Sequence, residues 1–372
     1  MRFPHRQRAT LSLVSLLAGC GSGPGLPSTY ETEHLRIGTD LDTPLCAGDL
    51  VAFEQTIRRV EDELGFSMKQ KFSVSIWSSE AWEAVEEDYC ENDPRVLGCT
   101  SYAENAIFTS WPSVQHELVH AAIPVEDLTP FFAEGLADAY GVRQSRFART
   151  APADSLALSG FDVDRPAATH FVRWLRETWG GTKLGELARL GKHADDRFAE
   201  VYGMSFADAQ AKYFAEAPFG YASIDTCGGA PLDLADDLGG WRARVAFDCE
   251  SGEQVRAYGD GMMVPRTFVI PVAGYYSVST DADWIILSRC ATGPIVEPVR
   301  LDEFDGEDVP PTYANWLSEE GAWYEGGSVL DLHFEAGKHE IELLLLGHDA
   351  GEANLSIRPS LGPRPVPLEG GH

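Results

Sequence analysis

His116-Glu117-Leu118-Val119-His120, followed closely by Thr129-Pro130-Phe131-Phe132-Ala133-Glu134-Gly135-Leu136-Ala137-Asp138-Ala139-Tyr140-Gly141, is the stretch from which both fold and chemistry are read. A helix through the first segment puts His116 and His120 on one face, close enough to hold a single zinc ion. Glu117 then lies beside that ion, where a carboxylate can take a proton from a water the metal polarises. Two histidines packed in a helical core are the plainer reading of the same spacing. The second segment supplies what the first lacks. Thr129 suits an N-cap, Pro130 the first helical position and Gly141 the C-terminal stop. On that helix Glu134 and Asp138 share a face. Glu134 can complete a His/His/Glu site with a fourth position open to water. Asp138 can accept the spare N–H of a ligating imidazole, His116 before His120. Gly135 weakens a helix and makes sense where another backbone comes close. Glu126 and Asp127, in a loop after Pro124, are rival ligands by residue type.

The longer metal-site pattern with a Gly and a third His is absent, because Ile123 and Glu126 stand at those positions. The constellation resembles the gluzincin metallopeptidases (HExxH…E, peptidase MA-like), in particular small ones whose third ligand closely follows the active-site helix. FFAEGLADAYG (131–141) resembles their Glu-Gly-x-Ala segment, and ATHFVRWLRETWG (168–180) the helix that comes after it. The likeness covers roughly residues 31–220. It implies a small zincin-like catalytic domain, with zinc on His116, His120 and Glu134, Glu117 as general base and Asp138 behind a ligand. It also implies a peptide or protein substrate, which adds as a strand to the sheet edge ahead of the zinc helix. A second group must polarise the oxyanion, usually a Tyr or His in such enzymes. His170, Tyr140 and Tyr202 are candidates, and each has a duller reading as a packing group. The competing class is a non-catalytic binding lipoprotein on a peptidase fold with a structural zinc. Glu117 speaks against it, since a structural site needs no base.

At the N-terminus, Arg2, Arg6 and Arg8 precede a short apolar run from Ala9 to Leu17, too brief to span a membrane. Leu17-Ala18-Gly19-Cys20 then resembles a bacterial lipobox, in which Cys20 receives lipid after signal cleavage. Gly21 to Thr29 reads as a tether. Gly21, in place of Asp, fits export to the outer membrane of a Gram-negative envelope. No later segment is apolar for long enough to cross a membrane, so N-terminal lipid is the expected contact with it.

Without Cys20 six cysteines remain, which suits an oxidising compartment. Sequence alone allows fifteen pairings. The expectation is Cys90–Cys99 as a local staple, Cys249–Cys290 inside the C-terminal domain and Cys46–Cys227 tying the ends of the catalytic domain. No CxxC spacing supports a second metal site. Loss of the three signal arginines takes the formal charge from −29 to −32, which argues against nucleic acid as a partner. Oligomeric state is not legible.

Pattern changes mark the organisation. Leu35–Thr39, Lys71–Trp77 and Ala106–Thr109 read as strands, and Asp49–Leu64 as an amphipathic helix ending at Gly65. The zinc helix opens near Ser110–Ser113 and stops at Pro124. Helices then dominate through Ala217, one of them opened by Ser205. After Cys227 the texture turns to Gly-rich turns, with strands at Arg266–Pro271, Gly274–Thr280, Trp284–Ser288, Val329–Phe334 and His339–Leu345. These resemble the small β-sandwich domains appended to secreted bacterial peptidases. The expected class is therefore α+β. A signal peptide (1–19) and tether (20–30) lead to a metallopeptidase domain (31–225), an all-β sandwich domain (240–360) and a tail (361–372).

Overall fold

The computed structural model describes residues 25–90, 97–141, 156, 162–218, 220–221, 224, 227–233, 240–250, 252, 254–259, 261–290, 294–295, 322–327, 329–347 and 349–361. The expected signal peptide and Cys20 lie outside the described residues. The chain is α+β. Its N-terminal part is organised on a mixed sheet of β1 (Tyr30–Glu31), β2 (Leu35–Thr39), β3 (Phe72–Trp77), β4 (Gly98–Ser101) and β5 (Ala106–Ser110), in the order β1-β2-β3-β5-β4. The inner strands β2, β3 and β5 run parallel, while β1 and β4 are antiparallel edges. Parallel neighbours need crossovers, and α1 (Ala47–Leu64) and α2 (Ser79–Tyr89) supply them. α1 ends as expected at Gly65, whose φ of +68° is left-handed and whose N–H closes on Glu61 O.

The strand ahead of the His116–His120 helix, β5, is thus not the sheet edge. β4 is hydrogen-bonded outside it, and the edge expectation moves to Gly98–Ser101. Helical structure follows: a 3-10 turn at Trp111–Ser113, α3 (Val114–Ala122), α4 (Pro130–Gly141), α5 (Arg165–Trp179), α6 (Gly181–Ala188), α7 (Phe198–Tyr202) and α8 (Phe206–Glu216). These helices and the sheet share one apolar core, running from Leu35 to Tyr221. Thr129 does not cap α4 as expected. Its carbonyl accepts from Ala133 N–H, but its buried hydroxyl finds no partner among the described residues.

β6 (Gly220–Tyr221) and β7 (Ala230–Pro231) lead into a second core framed by β8 (Trp241–Phe247), β9 (Arg256–Tyr258), β10 (Gly261–Ile270), β11 (Gly274–Thr280) and β12 (Trp284–Arg289), and, beyond β13 (Pro294–Ile295), which pairs with β6 in a sheet of its own, by β14 (Ala322–Glu325), β15 (Val329–Phe334), β16 (Gly337–Leu346) and β17 (Gly351–Pro359). One sheet runs β14-β12-β16-β10-β7 and the other β15-β11-β17-β8. Trp241, Val245 and Phe247, with Ala353, Leu355 and Ile357, face Val264, Phe268, Ile341 and Leu343 in one apolar layer, the alternation of a sandwich.

The two cores meet at the start of α1. Cys46 is joined to Cys249, Gly48 N–H donates to Val255 O at 2.8 Å, and Asp49 Oδ2 accepts from Cys46 N–H and Ala257 N–H at 2.8 and 2.9 Å. Cys90–Cys99 forms as expected, but the other two pairs exchange partners, giving Cys46–Cys249 and Cys227–Cys290. The reason is the docking of α1 on the loop before β9, which brings Cys46 to the second domain. Structural disulfides belong to oxidising compartments and are rare in the cytosol, so three of them mark the chain as an exported one. No helix among the described residues is long and apolar enough to cross a membrane.

Candidate metal centre

α3 has only nine residues, too few to hold a helix alone, so its position comes from what it packs on. Leu118 and Val119 are fully buried against the core, which turns His116 and His120 toward α4. From α4, Glu134 reaches the same point. His116 Nε2 and His120 Nε2 lie 3.1 Å apart, with Glu134 oxygens 3.5 Å from the first and 3.6 Å from the second. Donors held tetrahedrally at ~2.0–2.1 Å around zinc stand about 3.3 Å from one another. The three side chains therefore fit the ion with little adjustment. Glu126 and Asp127 are not part of this group.

Asp138, one turn beyond Glu134, places Oδ1 2.8 Å from His116 Nδ1. A proton held there leaves the lone pair on Nε2, the atom facing the cluster. The helix crossing that allows this depends on Gly135, since a Cβ there would stand 2.8 Å from Ala168 O of α5. Burial works against a charged His116, yet hydrogen bonds to Asp138 and Glu134 outweigh it and raise its pKa to about 10. Burial, and then the His116 charge, depresses His120. Burial pushes the Glu134 carboxyl up, but His116, His120 and Arg165 together hold it below the usual range.

Glu117 is buried and faces a cleft of about 480 Å³ bounded by β4, α3, the loop after α3, α4 and Arg165. Thr100 Oγ1 of β4 lies 3.0 Å from Glu117 Oε2. Gly98 lets this carboxylate lie against the strand, since a Cβ there would come within 2.9 Å of Glu117 Cγ. Tyr102 O–H, between β4 and β5, is 2.9 Å from His120 O and 3.1 Å from Ile123 O, and so closes the end of α3.

The three aromatic candidates for an oxyanion donor lie elsewhere. Tyr140 O–H donates to Glu63 of α1 at 3.0 Å. His170 Nδ1 is 2.6 Å from Tyr213 O–H, and its ring packs on Tyr221. Tyr202 stacks on Phe198. All three are buried, and none lines the cleft. The groups that sequence reasoning missed are Thr100, Tyr102 and Arg165. The first two sit on a hairpin whose outer strand, Gly98–Ser101, is four residues long and half-buried throughout, so no alternation marks it. Arg165 follows Asp164, whose carboxylate caps α5 by accepting from Ala167 N–H at 3.1 Å. The Asp-x-Pro start is a readable helix signal, but nothing local aims the Arg at α3.

A second His/Glu group, Glu33, His34 and Glu54, has its atoms already engaged. Glu54 accepts from Thr32 Oγ1 and His34 N–H and lies 2.7 Å from His34 Nδ1, while Glu33 pairs with Arg58. It latches the β1–β2 turn to α1.

No family model and no curated protein matches the chain. Among solved structures, the periplasmic g-type lysozyme inhibitor PliG of Aeromonas hydrophila is 10% identical, covering 36% of this chain and 96% of its own at a TM-score of 0.22. The pre-peptidase C-terminal domain of Bacillus anthracis collagenase is 11% identical over 35% of this chain and 94% of its own, TM-score 0.20. PliG of Salmonella Typhimurium is 12% identical over 36% and 100%, TM-score 0.19. At these scores the likeness bears on neither the cleft nor its chemistry.

Proposed function

We propose that the chain is an exported, lipid-anchored zinc metallopeptidase of gluzincin type, with a zincin-like catalytic domain and an accessory β-sandwich. The observation that carries this is the convergence of His116, His120 and Glu134 at zinc-ligand spacing beside a cleft-facing Glu117. Zinc bound there would supply Lewis acidity to a water and to a scissile carbonyl. His116, His120 and Glu134 would hold it, and Asp138 would fix the His116 tautomer. Glu117 takes a proton from the attacking water as its oxygen bonds to the carbonyl carbon. It returns that proton to the amine nitrogen as the C–N bond breaks. Thr100 steadies the carboxylate between the two transfers. β4 is the sheet edge beside the cleft, so an extended peptide would add along Gly98–Ser101. Lipid on Cys20 would hold the enzyme at the outer membrane; Cys20→Ser should release it from the membrane fraction.

The test is Glu117→Gln in the soluble form lacking residues 1–20. Zinc content and melting temperature should stay put, while casein or gelatin hydrolysis falls ~10²–10⁴-fold, the usual contribution of a positioned base. Equal hydrolysis by the variant would end the peptidase reading. Zinc uptake with no hydrolysis by either form would leave a binding lipoprotein instead.

A further inference from the structure

Arg165 is the one Lys or Arg among the described residues lining the cleft. It stands at the first position of α5, and its guanidinium reaches back across α4 into the ligand cluster. Nη2 lies 2.9 Å from Glu134 Oε2, 3.2 Å from Asp138 Oδ1, and 2.9 and 3.1 Å from His116 Nε2 and Nδ1, over the face of the imidazole. A cation bonded at ~2.0–2.2 Å to those same His116 and Glu134 atoms would lie against this nitrogen. Two positive charges so close repel, and both draw on Glu134, so the guanidinium and a metal compete. The arm has somewhere to go. Its side chain is 41% exposed, its backbone is fixed by the Asp164 cap, and four rotatable bonds separate the two. Its Nε is buried without a hydrogen-bond partner among the described residues, so the present position does not satisfy the whole group.

Resting on the peptidase reading, we propose that Arg165 yields the ligand cluster to the metal and turns into the cleft, where it donates hydrogen bonds to the oxyanion of the hydrolysis. The oxyanion forms when water oxygen bonds to the carbonyl carbon and the carbonyl π pair moves onto oxygen, the water proton going to Glu117. That charge needs a donor besides the metal. Tyr140, His170 and Tyr202 are buried away from the cleft, and Tyr102 O–H is turned to the carbonyls that end α3. Arg165 alone among the lining groups brings both positive charge and several N–H donors within a side chain's swing.

The experiment compares the soluble chain with Arg165→Gln and Arg165→Lys. Zinc affinity is read by competition with a chromophoric chelator, and inorganic phosphate, a tetrahedral anion, is titrated calorimetrically into the zinc-loaded proteins. Arg165→Gln should bind zinc about tenfold more tightly, because its competitor is gone, and phosphate about tenfold more weakly. Arg165→Lys should recover most of the phosphate binding, which a merely structural role would not produce. Zinc binding that is unchanged or weaker in Arg165→Gln would overturn the exchange, and unchanged phosphate binding would overturn the anion role. Failure of the parent reading looks different: the chain with Arg165 intact would then take up no zinc, and both proposals would fall together.

Discussion

Gly135→Ala sets two known effects against each other in one helix. On propensity alone, Ala in place of Gly in a helix interior is favourable by roughly 1 kcal/mol. Against it, the added Cβ would stand 2.8 Å from Ala168 O and 2.9 Å from Val172 Cγ2. Ordinary contacts of this kind begin near ~3.5 Å, so α4 and α5 must part by about 0.5 Å or more. One of the two partners is backbone in the first turn of α5 and cannot turn aside. Overpacking of this sort costs ~1–3 kcal/mol, so the clash outweighs the propensity gain and the net loss is about 1 kcal/mol. The second consequence is local. Glu134 and Asp138 ride on α4, so the displacement carries the proposed third ligand and the partner of His116 away from α3 together. Zinc affinity should drop ~10–100-fold, the range seen when a ligand's support is disturbed. Urea unfolding of chelator-treated protein reads the first effect and chelator competition the second. A variant that gained stability and bound zinc as before would refute the close crossing of α4 and α5, and with it the account of how the ligands are brought together.

Two further outcomes follow from carboxylates away from the cleft, Asp49 buried and Glu63 half-buried. Asp49→Ala removes the acceptor for the N–H groups of Cys46 and Ala257. With one or both left buried and unsatisfied, unfolding stability should fall by about 2–4 kcal/mol, and an undiminished melting temperature would mean the junction of the two domains is not held there. Burial pushes Glu63 up, but the Arg176 fork at 2.6 and 2.8 Å, helped by Tyr140, holds its carboxyl below the usual range. A depressed carboxyl pKa contributes stability that is present above the unfolded value and is lost as pH falls through the folded one. Arg176→Gln should therefore be less stable by about 1–2 kcal/mol at pH 7, with the gap closing below about pH 4. A gap that persists undiminished into acid would show that the pair acts through packing and not through charge.

How much of this was legible depends on how far apart in sequence the causes lie. The helix ending at Gly65 and the strands Leu35–Thr39, Gly274–Thr280 and Val329–Phe334 are where local periodicity puts them, because neighbouring residues carry the signal. β10 begins at Gly261, five residues before the expected Arg266, since Pro265 reads as a break. In the fold Pro265 falls between the segments that pair with β9 and β7, where no N–H is required. β8 and β17 escaped notice, although Trp241, Ala243, Val245 and Phe247 alternate with Arg242 and Arg244; small residues such as Ala243 and Ala246 dull the contrast. The grouping of His116, His120, Glu134 and Asp138 could be read because two short helices carry it. Arg165 could not be read, because its aim depends on a helix crossing at Gly135 that no local pattern encodes. The exchange of cysteine partners has the same origin, for Cys46 meets Cys249 only once α1 has docked on the second domain.

That docking bears on the cleft itself. α3 is too short to be rigid by its own hydrogen bonds, so ligand spacing is set by what surrounds it. Tyr102 fixes its C-terminal end and Asp138 holds one imidazole. At its entry, Trp111 packs against both apolar cores at once, touching Phe53 of α1 edge-on at 6.1 Å. α1 is in turn clamped to the sandwich by Cys46–Cys249 and by Asp49. A link between residues 203 apart in sequence restricts the unfolded chain far more than a local staple such as Cys90–Cys99 does, on the loop-entropy view. The β-sandwich thus shares its core with the 3-10 turn that leads into α3. A domain so placed cannot be removed without loosening α3 at its first turn, which makes it part of what holds His116 and His120 at ligand spacing.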